Sequence, residues 1–177
     1  MTYNVYLKPQ QGFWRYADTV GNGTGTTNFN GDYSGAEEQA ILKPLAGQRL
    51  IVVRLIVMVA DTSGMQPDEY GNLGAALGTG IEIKHFDADG TTVLNDMTGG
   101  VPVTTNGDWG ALCYDVNRLA WGNSPTNEYL LVRWTFQRAG IEGIMLTPDQ
   151  SIRVLFNDSL VGLLDHRFMF QGFDDNN

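Results

Sequence analysis

The sequence has a single cysteine, Cys113, and a charged fraction of 18%, below the roughly 25% of ordinary soluble proteins. One cysteine excludes an internal disulfide framework. The 11 Lys and Arg residues are scattered, and the formal net charge is -9. Because binding to phosphates needs clustered cations, this composition argues against nucleic acid and against anionic membranes as partners.

Signals for secretion and for membrane insertion are also missing. The start, MTYNVYLKPQ, has neither the basic residues nor the long apolar region of a signal peptide. The longest apolar run, Leu50 to Ala60, contains Arg54 and is far shorter than the ~20 residues that span a bilayer. We therefore expect a chain made in a reducing cytosol, without membrane association.

Few residues have the spacing that catalysis or metal binding requires. His85 and His166 are the only histidines, and no H-x-x-x-H or C-x-x-C cluster occurs. His166 follows Asp165 at the start of a strand-like stretch, where successive side chains point to opposite faces, so the two should not form a pair. The sequence predicts no enzyme activity, no cofactor and no metal site.

Two acidic stretches leave cation binding open as the weaker alternative. The DADG sequence from Asp87 to Gly90 is typical of a hairpin turn, although a loosely bound cation would also use these carboxylates. The loop from Asp61 to Asn72 contains further carboxylates that can gather around a calcium ion. We favour turns and loops without metal in both places.

The sequence is rich in strand and turn signals. It has 22 glycines and no stretch with a sustained helical period, and the crossover helices of an α/β fold are missing. About eight short strands are expected, which predicts an all-β, two-sheet antiparallel sandwich of jelly-roll type. The clearest strands are EQAILKP, QRLIVVRLIVMVA, IEIKHF, TTVLN, EYLLVRWTFQ, SIRVLFN and HRFMFQGF.

The first part of the chain differs from the rest. Residues 1–35 include GNGTGTTNFNGDYSG, which has turn residues and little hydrophobic periodicity. We predict an extended N-terminal arm or loop over 1–35 and a β-sandwich domain over 36–177. The aromatic residues Phe13, Trp14 and Tyr16 make this arm a candidate docking element.

The long strand around residue 55 is apolar on both of its faces. If its odd positions face the core at period two, Leu50, Val52, Ile56 and Met58 face away from it. Such a row is an apolar patch of the kind that marks an interaction surface. We predict a subunit contact at these four residues, and the alternative is that the arm or a loop of the same chain covers them.

Aromatic residues in predicted loops offer a second type of surface. Trp109, Tyr114 and Trp121 are candidates for a surface that binds a carbohydrate. The sequence alone does not show whether the three rings lie together.

Several phrases together resemble a known family. ADTSG, EYGN, GTGIEIK, DMTGGVPVTTNGDWGALCYDV, EYLLVRWTFQRAG and NDSLVGLLDHRFMFQGF are similar to small virion proteins of tailed bacteriophages. The resemblance covers roughly residues 36 to 173, whereas the arm matches poorly. None of these phrases is a catalytic signature, so no active site is implied.

The resemblance implies a jelly-roll-like domain that is part of the virion and is assembled in the bacterial cytoplasm. The favoured role is capsid decoration, in which a cement protein binds the capsid surface and stabilises it. The implied partners are the major capsid protein and further copies of the chain, with a trimer favoured. A tail, neck or fibre protein, or a carbohydrate-binding adhesin on the same fold, is the alternative.

Overall fold

The computed structural model describes residues 11–16, 29–61, 66, 69–97, 114–120, 128–136 and 142–175. These residues form ten β-strands and no α-helix. The strands are β1 (Gln11–Tyr16), β2 (Glu38–Leu42), β3 (Leu50–Asp61), β4 (Ile81–Phe86), β5 (Val93–Asp96), β6 (Tyr114–Ala120), β7 (Glu128–Thr135), β8 (Ile144–Leu146), β9 (Ser151–Phe156) and β10 (Asp165–Asp174).

The strands form two antiparallel sheets, which confirms the predicted all-β class. The larger sheet has six strands in the order β1-β10-β3-β7-β6, with β8 paired to β3 beside β7. The smaller sheet has four strands in the order β2-β9-β4-β5. All seven of the clearest sequence-predicted strands are present, and β1, β6 and β8 are the described strands outside that set.

The core lies between the two sheets and follows the expected alternation in most strands. Ile152, Val154 and Phe156 of β9 point into it from the smaller sheet, and Phe168 and Phe170 of β10 point into it from the larger one. Fully burying one such side chain stabilises the fold by about 1.5–3 kcal/mol. The predicted inward faces of β9 and β10 are therefore confirmed.

Strand β3 does not alternate along its whole length. Arg54 pairs with Gln171 of β10, but the next pair joins Val52 to Gly172, so Val53 is an extra residue in β3. Such a β-bulge shifts the alternation by one residue. Even positions face the core before Val53, and odd positions face it from Leu55 onward.

The bulge corrects part of the predicted subunit contact. Leu50 and Val52 are 0% exposed and belong to the core between the sheets. The prediction that they face away from the core is wrong, because an unbroken period of two was assumed for the entire strand. Ile56 and Met58 alternate with the core residues Leu55, Val57 and Val59, and they do face away.

The described parts of the N-terminal 35 residues are joined to the sandwich. β1 pairs antiparallel with β10, from Gln11 opposite Asp174 to Tyr16 opposite Met169. Phe29 is buried, and its ring stacks on that of Phe156 with 4.8 Å between the centroids. In β1, β6 and residues 128–129 the structure describes the backbone but not the side chains.

Candidate interaction surface

The face of the six-stranded sheet that points away from the core, here called the outer face, carries the remaining predicted contact residues. Ile56 is 9% exposed yet lies outside the cluster of contacting core residues, and Met58 is half-buried. Neighbouring strands add to this face through their register with β3. The further members with described side chains are Ile51, Arg54, Leu131, Arg133, Thr135, Met145, Arg167, Met169, Gln171 and Phe173.

Apolar residues form rows across the outer face. Phe173, Ile51 and Met145 are directly paired on three adjacent strands, so their side chains share one side of the sheet. Met169 and Ile56 form a second pair nearer the centre. This arrangement is suited to a partner surface that is itself apolar, and methionine adapts well to such contacts.

The bulge places one arginine in the middle of this apolar face. Arg54 lies between Gln171 of β10 and Thr135 of β7. Its Nε atom is buried and has no hydrogen-bond partner among the described residues. A buried donor without a partner is stabilised when a hydrogen-bond acceptor is supplied. Arg54 therefore gives the outer face one polar site among apolar side chains.

The backbone register of β1 brings two of the three docking-arm positions onto the same face. Trp14 pairs with Gln171 and Tyr16 pairs with Met169, whereas Phe13 pairs with Gly172 and so has the opposite facing. The positions of Trp14 and Tyr16 thus extend the outer face by one strand. Their role as docking residues stays a prediction.

The three aromatic candidates for carbohydrate binding are not brought together by the described residues. Trp109 and Trp121 lie outside the described residues. Tyr114 begins β6 and pairs with Trp134, whose side chain packs in the core and donates Nε1–H to the Met97 carbonyl at 3.2 Å. A sugar site at these residues stays a prediction.

A second exposed apolar surface was not identified from the sequence. Residues 71–80 and 157–164, here called the rim loops, lie at one end of the sandwich. Val161 is 63% exposed and Leu164 is 45% exposed, although Leu160 and Leu163 beside them are buried. The stretch LVGLL at 160–164 is apolar throughout, so no pattern in the sequence indicates which of its side chains point outward.

His166 takes part in a structural network. It is fully buried, its Nδ1–H donates to the Phe29 carbonyl at 2.9 Å, and the Tyr70 hydroxyl donates to Nε2 at 2.7 Å. Burial lowers the pKa of His166 to about 4, since desolvation outweighs the raising effects of the Phe29 carbonyl and the charge of Asp165. The imidazole is therefore neutral at pH 7, with both nitrogens satisfied.

The neighbouring carboxylate points the other way, as predicted. Asp165 Oδ2 accepts from Arg167 Nε at 2.6 Å, and both residues alternate with the buried His166 along β10. The other histidine, His85, is also buried, and desolvation lowers its pKa. Its Nδ1 lies 3.0 Å from the Asn95 amide nitrogen.

The DADG sequence forms the predicted turn between β4 and β5. Asp89 accepts hydrogen bonds from the backbone N–H groups of Thr91 and Thr92, each at 2.8 Å, and from the Thr92 hydroxyl at 2.5 Å. The bond from the Thr92 hydroxyl is the main cause that holds the pKa of Asp89 far below its usual range. Within the described part of the chain, no group of three or more His, Cys, Asp and Glu residues is placed to hold a metal ion.

No protein-family model, no curated protein and no solved structure matches the chain. Among the residues that the structure describes, none belongs to a helix long and apolar enough to cross a membrane.

Proposed function

We propose that the chain is a structural protein of a bacteriophage particle, with capsid decoration as the favoured role. It acts by binding, without turnover, and its outer face lies against the major capsid protein. The observation that carries the proposal is the group of apolar side chains on this face that stay accessible. Met145 is 45% exposed, and the side chains of Ile51, Met58, Met169 and Phe173 are half-buried, whereas Ile56 is already 9% exposed and adds little contact area. The phrases that resemble small phage virion proteins supply the identity of the particle.

The strand order supports a jelly roll within this proposal. In an eight-stranded jelly roll, one sheet contains the first, eighth, third and sixth strands, and the other contains the second, seventh, fourth and fifth. If β7 is taken as the sixth strand, the orders β1-β10-β3-β7 and β2-β9-β4-β5 fit this pattern, and β6 and β8 are additions. The domain then begins at β1, with Gln11, and includes part of the segment first assigned to the arm.

The fold by itself leaves the function open, because viral capsid proteins, lectins and cupins all use jelly rolls. Two described side chains of types that often take part in catalysis are used in structural hydrogen bonds instead, which supports a binding role over an enzymatic one. The His166 ring nitrogens are used by Phe29 and Tyr70, and the Asp89 carboxylate is used by its own turn. These groups stabilise the sandwich, whereas Met145 and Met58 on the outer face stay accessible for contact with a partner.

The free energy of docking comes mainly from apolar burial at about 25 cal/mol per Å². A docking face that includes the unpartnered Arg54 Nε also favours partner surfaces that offer a carboxylate or carbonyl acceptor there. A decoration protein with such a face adds contact area between capsid subunits and so raises the stability of the shell.

The test is to follow the chain through a density gradient of phage particles assembled in bacteria that express it. We expect the unaltered protein to sediment with capsids, and Met58→Glu to reduce the bound amount at least tenfold. Leu45→Glu is the matched control, because Leu45 is 59% exposed in the β2–β3 connection, away from the outer face. It should leave binding unchanged.

Two results would overturn parts of this proposal. Sedimentation with tails alone would make capsid decoration wrong and leave a virion role standing. Recovery of the unaltered chain only as free protein, with no particle fraction containing it, would contradict the virion role itself.

A further inference from the structure

We propose that the outer face recognises an acidic segment of its partner protein, in which one carboxylate side chain binds at Arg54 and apolar side chains lie two residues to either side of it. The inference rests on the docking role proposed above for this face and specifies the chemistry of the partner surface. It follows from the order of polar and apolar side chains along β3 and the strands paired with it.

A row of hydrogen-bond donors crosses the outer face at Arg54. The register of β10, β3 and β7 places Gln171, Arg54 and Thr135 side by side, and all three side chains are half-buried. An amide, a guanidinium and a hydroxyl can each donate a hydrogen bond. The Arg54 Nε gains most from an acceptor, since it is buried and has no hydrogen-bond partner among the described residues.

Apolar side chains lie on both sides of this row. On one side, Phe173, Ile51 and Met145 are paired across three strands, and Met145 is 45% exposed. On the other side Met169 is half-buried, and the half-buried Met58 follows one row further. A partner that covers these apolar side chains excludes water from the donor row, and a charge-assisted hydrogen bond is stronger in such surroundings.

The charges on this face favour a carboxylate over a neutral acceptor at Arg54. Arg167 Nε already donates to Asp165 at 2.6 Å, and the backbone register of β6 places Asp115 opposite Arg133. Arg54 instead has uncharged cross-strand neighbours on both β10 and β7. A planar carboxylate can accept two parallel bonds from a guanidinium, which a carbonyl cannot match.

The spacing of the rows fits an extended partner segment. Phe173, Gln171 and Met169 follow one another on the outer face of β10 at intervals of two residues, which is about 6.6 Å in a strand. Alternate side chains of an extended segment have the same spacing. A carboxylate over the donor row therefore places side chains two residues away over Phe173 and Met169, where apolar side chains fit best.

A first test needs no partner. Arg54→Met should unfold in urea at an equal or higher midpoint than the unaltered chain, because it removes a buried donor that has no acceptor. Arg153→Met is the matched control, since the half-buried Arg153 donates Nε–H to Ser151 Oγ at 3.1 Å and lies 4.5 Å from the centre of the Phe86 ring. We expect this control to unfold at a lower midpoint. A lower midpoint for Arg54→Met would show that the chain itself uses Arg54 and would overturn the proposal.

Surface plasmon resonance with immobilised synthetic peptides measures the preference for an acidic residue. The peptides have leucine two positions before and after a central Glu or Gln, and threonine elsewhere, because threonine favours extended chains. We expect the unaltered chain to bind the Glu peptide at least tenfold more tightly than the Gln peptide. Arg54→Met should bind both alike, and Arg153→Met should keep the preference. Equal binding of the two peptides by the unaltered chain, or no binding of either, would overturn the proposal.

Sedimentation with phage particles separates this inference from the proposed function. Arg54→Met should reduce the amount bound to capsids at least tenfold, whereas Arg153→Met should leave it unchanged. Capsids that bind Arg54→Met as well as the unaltered chain would leave the decoration role standing and make the acidic partner wrong. If no particle binds the unaltered chain but the Glu peptide is preferred, the virion role is wrong and the acidic partner stands.

Discussion

At the scale of single residues, the buried side chain of His166 is held by contacts on several sides. Its two ring nitrogens are hydrogen-bonded to Phe29 and Tyr70, and its ring lies 4.7 Å from that of Phe168 between centroids. The network joins residues far apart in sequence, from positions 29, 70 and 166. Its strength therefore decides how firmly the loop that contains Tyr70 is held to β10.

Tyr70→Phe should destabilise the fold by about 1–3 kcal/mol, because the buried Nε2 of His166 loses its donor. The free energy of unfolding in urea measures this change. Tyr33→Phe is the control, since the Tyr33 hydroxyl only receives a long bond of 3.4 Å from Gly31 N–H and should cost far less. If both variants lose the same free energy of unfolding, the Tyr70–His166 hydrogen bond makes no specific contribution to stability.

Stability should fall as the pH drops from 6.5 toward 4. The pKa of His166 is lowered to about 4 in the folded chain from 6.5, so between these values the unfolded state binds the proton and the folded state does not. Stability is full above pH 6.5 and is lost as the pH falls, by about 3 kcal/mol for this group once both states are protonated. NMR titration of the two imidazoles checks this directly, and a His166 pKa near 6.5 would contradict it.

At the scale of elements, the sequence pattern of β3 predicts the strand itself but not the bulge within it. The strand itself, its central position and its second apolar face follow from the run between Leu50 and Ala60. The bulge at Val53 does not, because Val52 and Val53 are both apolar and either can face the core. Only the partner strand resolves this, through Gly172 of β10, which stands opposite Val52.

Leu50→Ala should cost about 2–5 kcal/mol of stability, because it leaves a cavity in the core. Ile51→Ala should cost markedly less, since Ile51 lies half-buried on the outer face. Urea unfolding of the two variants under identical conditions gives the comparison. If Ile51→Ala proves the more destabilising, β3 alternates without a bulge and the correction to its first half is wrong.

Other elements differ in how far their sequences determine them. The inward face of β10 was predictable, because Phe168 and Phe170 alternate with polar or flexible neighbours. The Asp89 turn was predictable as well, because its sequence has a strong local signal. β8 has only three residues, which is too short to show an alternating pattern in the sequence. Val161 and Leu164 were not identified, because their exposure is set by hydrogen bonds to distant residues such as Gly31 and Ala60.

At the scale of the whole molecule, the exposed apolar side chains that the structure describes include two groups in separate places. The outer face extends across the larger sheet around Ile56 and Met58, and the rim loops lie at the end of the sandwich where β9 leads into β10. The proposed capsid contact uses the outer face, where Met58 is half-buried and Met145 is 45% exposed.

The central claim is that the outer face docks against a capsid, and electron cryo-microscopy of particles that contain the chain tests it most directly. We predict ordered density for the β-sandwich on the shell, with Met58 and Met145 covered by capsid protein. A map in which the chain is bound with this face open to solvent would contradict the account.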